Sequence, residues 1–173
     1  MPRRSSRATP TSRSSRTPAV GALDAGLRLL ARRAHSRIEL RRKLSRRGYQ
    51  GDEVEAALAR LRDLGYLDDR AFAEGHVRRR GQGLGPRALS AELAARGVDR
   101  QIADGAVAGF GEDAQVAAAT RLAERLCGAR RPTSLRELLD AVGPKLLRRG
   151  FAPSIARTAC QAVLAGTPPD IED

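Results

Sequence analysis

Three groups of residues in this chain have types and spacing that could do chemistry. They are the alternating glycines of Gly81-Gln82-Gly83-Leu84-Gly85-Pro86, the histidines with the cysteines, and the clustered arginines. A glycine loop can cradle phosphate through its backbone N–H groups, but a P-loop also needs Gly-Lys-Ser/Thr. The two lysines, Lys43 and Lys145, follow Arg42 and Pro144, which excludes that motif. A dinucleotide-binding turn needs its three glycines in fixed spacing after a strand. Here the spacing is wrong, Pro86 takes the last slot and no strand pattern precedes, so the glycines read as a joint between helices. His35, His76, Cys127 and Cys160 lie too far apart for the few-residue spacing of zinc ligands. His35 is more simply a packing or hydrogen-bonding residue at a helix start. No Ser-His-Asp arrangement stands out, and Asp63, Asp68, Asp69 and Glu74 are accounted for by helix caps and helix surfaces. The expectation is a protein that is not an enzyme and needs no cofactor or metal.

The arginines remain. The formal net charge is +12, and all but two of the 32 basic residues are arginine. Such an excess suits an anionic partner, either nucleic acid or an acidic protein surface. Arg37, Arg41, Arg42 and Arg46 cover the polar side of one helix, with Arg47 beside them. Arg78, Arg79 and Arg80 end another helix, Arg87 opens the next, and Arg148 with Arg149 end a later one. Cations at helix C-termini are favoured by the helix dipole by about 0.3–1 kcal/mol each, so any single arginine reads as solvated surface. The set as a whole predicts a partner surface. A helix-turn-helix reader of DNA bases is disfavoured, because the helix that would enter the groove carries Asp52, Glu53 and Glu55 in one copy, and Asp99 with Asp104 in another. Carboxylates there face phosphate.

The elements that position these residues are helices. Alanine and leucine dominate the apolar fraction, tryptophan is missing and aromatics amount to 3%, which predicts an all-α protein. Leu23, Leu27 and Leu30 mark the apolar face of a first helix. Ser36 with Glu39 has capping-box spacing for a second, Asp52 is placed to cap a third, and Asp68 or Asp69 a fourth. One phrase then recurs: Leu40-x3-Leu44-x3-Gly48-Tyr49, Leu89-x3-Leu93-x3-Gly97-Val98 and Val142-x3-Leu146-x3-Gly150-Phe151. Each glycine is expected in the left-handed C-terminal cap conformation, with the next residue packed back on the helix. A spacing of about 50 residues fits stacked three-helix repeats. The units expected are 35–81, 85–128 and 133–166 within a repeat domain at 20–166, preceded by a helix at 20–33. Residues 1–19 hold five arginines and no acid among Ser, Thr and Pro and are expected to form a disordered basic tail. Residues 167–173 form a C-terminal tail. No leader pattern and no run of about 20 apolar residues occurs, and the two cysteines read as reduced thiols, so a cytoplasmic protein without a membrane span is expected.

Ala34-His35-Ser36-Arg37-Ile38-Glu39-Leu40, then Leu64-Gly65-Tyr66-Leu67-Asp68-Asp69 with Phe72 and the arginine run, then Gly85-Pro86 and its helix up to Val98, resemble the RecX regulatory proteins of bacteria in order and spacing. The resemblance spans about residues 22–165, with Gly75-His76 standing where bulkier apolar residues belong. It implies tandem three-helix repeats in an elongated, curved helical array. It also implies that the partner is RecA in its filament on single-stranded DNA, with inhibition of recombinase, ATPase and coprotease activities, in DNA repair and the SOS response; a monomer is expected, though the residues leave the oligomeric state open. Single- or double-stranded DNA is a further possible partner, and a general nucleic-acid-binding protein acting through charge is the alternative. The arginines named above are the expected contacts with RecA or DNA.

Overall fold

Short oxygen-bearing side chains and sharp glycine turns set where helices start and stop in this chain. The structure, a computed structural model, describes residues 20–128 and 133–166; the expected tails at 1–19 and 167–173 lie outside the described residues. Among the described residues there are nine helices and no strand: α1 (Ala22–Arg32), α2 (Arg37–Arg46), α3 (Gly51–Asp63), α4 (Asp69–Arg80), α5 (Pro86–Ala95), α6 (Arg100–Ala108), α7 (Glu112–Cys127), α8 (Leu135–Arg148) and α9 (Pro153–Ala165). Ser36 accepts the Glu39 N–H at 3.1 Å to start α2. Asp68 accepts the N–H groups of Arg70 and Ala71 to start α4, and Asp99 those of Gln101 and Ile102 to start α6. Each such cap is worth about 1 kcal/mol. The cap of α3 is Gln50 rather than Asp52; Asp52 lies within the first turn, where its carboxylate meets the positive end of the dipole.

The recurring phrase ends α2, α5 and α8. Gly48, Gly97 and Gly150 have φ of +91°, +75° and +86°, and Tyr49, Val98 and Phe151 behind them are buried. The chain doubles back at these points because glycine enters the left-handed region without the ~1–2 kcal/mol that a Cβ adds.

Three cores form, each from three consecutive helices. Leu40, Leu44, Val54, Leu58 and Leu61 centre the core of α1–α3. Phe72, Leu89, Leu93 and Val98 centre that of α4–α6. Leu122, Leu138, Leu146, Phe151 and Cys160 centre that of α7–α9. This frame is offset by one helix from the units expected at 35–81, 85–128 and 133–166. The repeated phrase marks the middle helix of each unit, and the helix at 20–33 is the first member of unit one rather than an addition before it. The reason is nonlocal: α4 turns Phe72, Ala73 and Val77 toward α5 and α6, and α1 packs on α3. The face of α1 also differs from the expected Leu23, Leu27 and Leu30 stripe. Ala22, Ala25, Gly26 and Leu29 are buried and those three leucines sit half-buried at the flanks. Small residues let the helices close up, since a Cβ on Gly26 would stand 2.7 Å from Leu61 Cδ1.

Candidate functional site

Adjacent units meet through the ends of their middle helices. Between units one and two, Ser36 Oγ at the start of α2 donates to the carbonyl of Arg96 at the end of α5, at 2.6 Å. Ile38 fills the space that a Cβ on Gly97 would take, and the Arg37 N–H donates to Asp69 Oδ1 at 2.7 Å. Between units two and three, the Gly85 N–H at the start of α5 donates to the carbonyl of Arg149 at the end of α8, at 2.8 Å, and the Arg87 N–H to that of Gly150. The same helix ends are used twice.

The first joint carries a charge cluster. Glu39 accepts from Arg96 Nη1 at 2.7 Å and Arg33 Nη1 at 3.3 Å, and lies 3.3 Å from His35 Nδ1. Burial opposes ionisation of Glu39, but the Arg33 and Arg96 guanidinium groups outweigh it and hold the carboxyl below its usual value. Across the cleft, Glu92 takes a two-pronged contact from Arg80, Nε at 3.1 Å and Nη2 at 2.7 Å, and lies 2.7 Å from His76 Nε2. The Arg80 hydrogen bond is the main cause that lowers the Glu92 pKa. Burial lowers the pKa of both His35 and His76, with neighbouring arginines adding to it, so both rings are neutral near pH 7. Arg33, Ala34, Phe72, His76, Arg79, Arg80 and Arg96 line a cleft of about 600 Å³ here. Among the described residues no group of three or more His, Cys, Asp or Glu is placed to hold a metal. Cys127 and Cys160 are free, and burial pushes the Cys160 thiol up.

The expected partner arginines separate into two sets. Arg37 and Arg41 both grip Glu55, at 3.0 and 2.6 Å, Arg80 grips Glu92, and Arg149 Nη1 reaches the Gly83 carbonyl at 3.4 Å. These four are engaged within the chain. Arg42, Arg46, Arg78, Arg79, Arg87 and Arg148 are exposed and form no ion pair with another described residue. Sequence reasoning missed Arg33 and Arg96. A signal for Arg96 was present: arginine precedes the turn glycine in all three phrases, as Arg47-Gly48, Arg96-Gly97 and Arg149-Gly150.

Profiles described as the RecX first and second three-helix domains match residues 22–61 and 68–107, the same frame as the first two cores. The regulatory protein RecX of Halorhodospira halophila is 44% identical over 143 residues, covering 80% of this chain and 86% of that protein. The chain belongs to the RecX family. The regulatory protein RecX of Xanthomonas axonopodis pv. citri is 42% identical over 134 residues, covering 77% and 82%. A crystal structure of RecX from Lactobacillus salivarius superposes with a TM-score of 0.72 at 27% identity, over 82% of this chain and 94% of that one. The RecX profiles stop at residue 107, yet the third unit repeats the same middle-helix phrase and joint. Among the described residues no helix is long and apolar enough to cross a membrane.

Proposed function

We propose that this RecX-family protein acts in the cytoplasm by occupying the RecA–single-stranded DNA filament. It thereby inhibits the filament's recombinase, ATPase and coprotease activities and so modulates DNA repair and the SOS response. It does this by binding rather than by turnover, as a monomer. The observation that supports this reading is the second set of arginines. Arg42, Arg46, Arg78, Arg79, Arg87 and Arg148 are displayed on all three tandem units without a carboxylate partner among the described residues, beside Arg37, Arg41, Arg80 and Arg149, which have internal contacts. An array of units with unpaired guanidinium groups suits a partner that is itself a repeating, polyanionic assembly.

The test is a titration into RecA already assembled on saturating single-stranded DNA, reading ATP hydrolysis. Inhibition below one protein per RecA is expected, and it should persist when further DNA is added. Inhibition that disappears with excess DNA would support the charge-driven nucleic-acid-binding alternative instead. Reversing Arg78 and Arg79 to glutamate, with Arg80 left to hold Glu92, should weaken inhibition without loss of helicity.

A further inference from the structure

We propose that the cleft at the joint of units one and two binds a phosphate group of a polynucleotide backbone, with Arg33, Arg79 and Arg96 as its donors. This does not rest on the filament reading, since it requires only a polynucleotide.

Four guanidinium groups from three chain segments converge on the cleft. Arg33 follows α1, Arg79 and Arg80 end α4, and Arg96 follows α5. Two carboxylates, Glu39 and Glu92, are paired with them. With both histidines neutral, the cluster keeps an excess of two positive charges. It also keeps unused donors. Arg33 and Arg96 each use one terminal nitrogen on Glu39, and Arg79 has no ion pair among the described residues. Arg80 is held on Glu92 through Nε and Nη2 and serves to brace the wall.

The place of Arg79 is built into α4. Gly75 is buried in the middle of that helix, where glycine costs about 1 kcal/mol relative to alanine. The Arg79 guanidinium lies back across it, with Nη1 3.2 Å from where a Cβ would stand. Next to Gly75, His76 is held by Glu92 and stacks on Phe72, centroids 6.2 Å apart. Gly75-His76, out of place as packing residues, thus form the seat of an arginine and the floor of a cleft.

The ligand follows from the donors. A carboxylate offers two oxygens in one plane, and Glu39 and Glu55 each take two guanidinium groups. Three guanidinium groups arriving from three separate segments suit a tetrahedral anion with oxygens on several sides. The rings of the cleft, Phe72 and His76, are both buried and offer no platform on which a base could stack. Contact is therefore to backbone phosphate, which positions a strand without reading its sequence.

The experiment measures binding of a labelled thymidine oligonucleotide to the full chain by fluorescence anisotropy at several salt concentrations. Arg79→Gln and the double variant Arg33→Gln/Arg79→Gln are compared with Arg121→Gln, an exposed position on α7 that does not line the cleft. Arg79 makes no ion pair among the described residues, so its variant is expected to keep the fold, and a circular dichroism melt verifies this for each protein. Affinity should fall about tenfold for Arg79→Gln, with the slope of log K against log salt shallower by about 0.7. Arg121→Gln should match the parent. Equal binding by Arg79→Gln and Arg121→Gln overturns the site. Two competitor arms, run at constant ionic strength, separate the sources of the anion. Inorganic phosphate that displaces the oligonucleotide from the parent but not from the double variant reassigns the cleft to free phosphate. Polyglutamate that loses affinity for the double variant while DNA does not reassigns it to an acidic protein segment. Either result overturns the backbone assignment.

Discussion

Three glycine-to-alanine changes separate the conformational role of the turn glycines from their role in joining units. Gly48, at the free end of α2, has φ of +91° and nothing within 4 Å of an added Cβ. Gly48→Ala therefore carries only the left-handed backbone cost, about 1–2 kcal/mol. Gly150 has φ of +86°, and a Cβ there would run into the backbone and side chain of Ala88 in the preceding unit. Gly85 has an ordinary φ of −86°, but its Cβ would run into the backbone of Gly150 and Phe151. Backbone cannot swing aside, so Gly85→Ala forces the joint open. The hydrogen bonds Gly85 N–H to Arg149 C=O at 2.8 Å and Arg87 N–H to Gly150 C=O at 3.3 Å are then lost. At roughly 0.5–1.5 kcal/mol each, that is about 1–3 kcal/mol, and Gly150→Ala adds the backbone term for about 2–5 kcal/mol. For a chain of this size each kcal/mol lowers Tm by about 2–4 °C. Calorimetric melts of the three variants should rank Gly150→Ala lowest and Gly48→Ala closest to the parent. Gly85→Ala should also speed exchange of the Gly85 and Arg87 amides, which Gly48→Ala leaves protected. A silent Gly85→Ala, or a Gly48→Ala as damaging as Gly150→Ala, would refute the close backbone approach described for the joint.

Two further expectations concern the charge cluster. Glu39→Gln leaves Arg33 and Arg96 without their shared carboxylate and should cost about 1–3 kcal/mol; a urea midpoint indistinguishable from the parent would contradict it. Stability should also fall on mild acidification. His35 and His76 have folded pKa values below the ordinary one of about 6.5. The unfolded chain therefore binds more protons than the native one as pH drops below that value. The neutral rings' stabilisation is complete above pH ~6.5 and declines below it, by at most about 1.4 kcal/mol per pH unit for each histidine. Glu39, Glu55 and Glu92, with lowered pKa values, lose their contribution in the same direction at more acid pH. A His35→Gln/His76→Gln variant should flatten the decline in Tm between about pH 6.5 and 5; an unchanged slope would place the titration elsewhere.

What was legible in the sequence was local. Ser36 and Asp68 cap helices because a short side chain reaches an amide two or three residues on, and the turn glycines announce themselves by position. The unit frame was not legible, because short connections tie α4 equally to α3 and α5. Only the meeting of Phe72, Ala73 and Val77 with the α5–α6 faces decides its membership. The arginines show the same limit. Arg37, Arg41, Arg80 and Arg149 look as available in the sequence as Arg42 or Arg78, and only the folded chain brings Glu55, Glu92 and the Gly83 carbonyl to them. The cleft escaped for that reason too, since Arg33 and Arg96 are 63 positions apart in the chain numbering and meet at Glu39.

The two joints also differ in the chemistry that closes them. Phe110 packs against the cores of both units two and three, and backbone hydrogen bonds close that joint. Units one and two share no core residue. They are fastened by Ser36, the Arg96–Glu39 pair, Asp69 on the Arg37 amide and Ile38 packed against Gly97, and of these the charge pair is screened by salt. The first joint therefore carries a charge pair where the second carries backbone hydrogen bonds, so added salt should weaken the first more than the second.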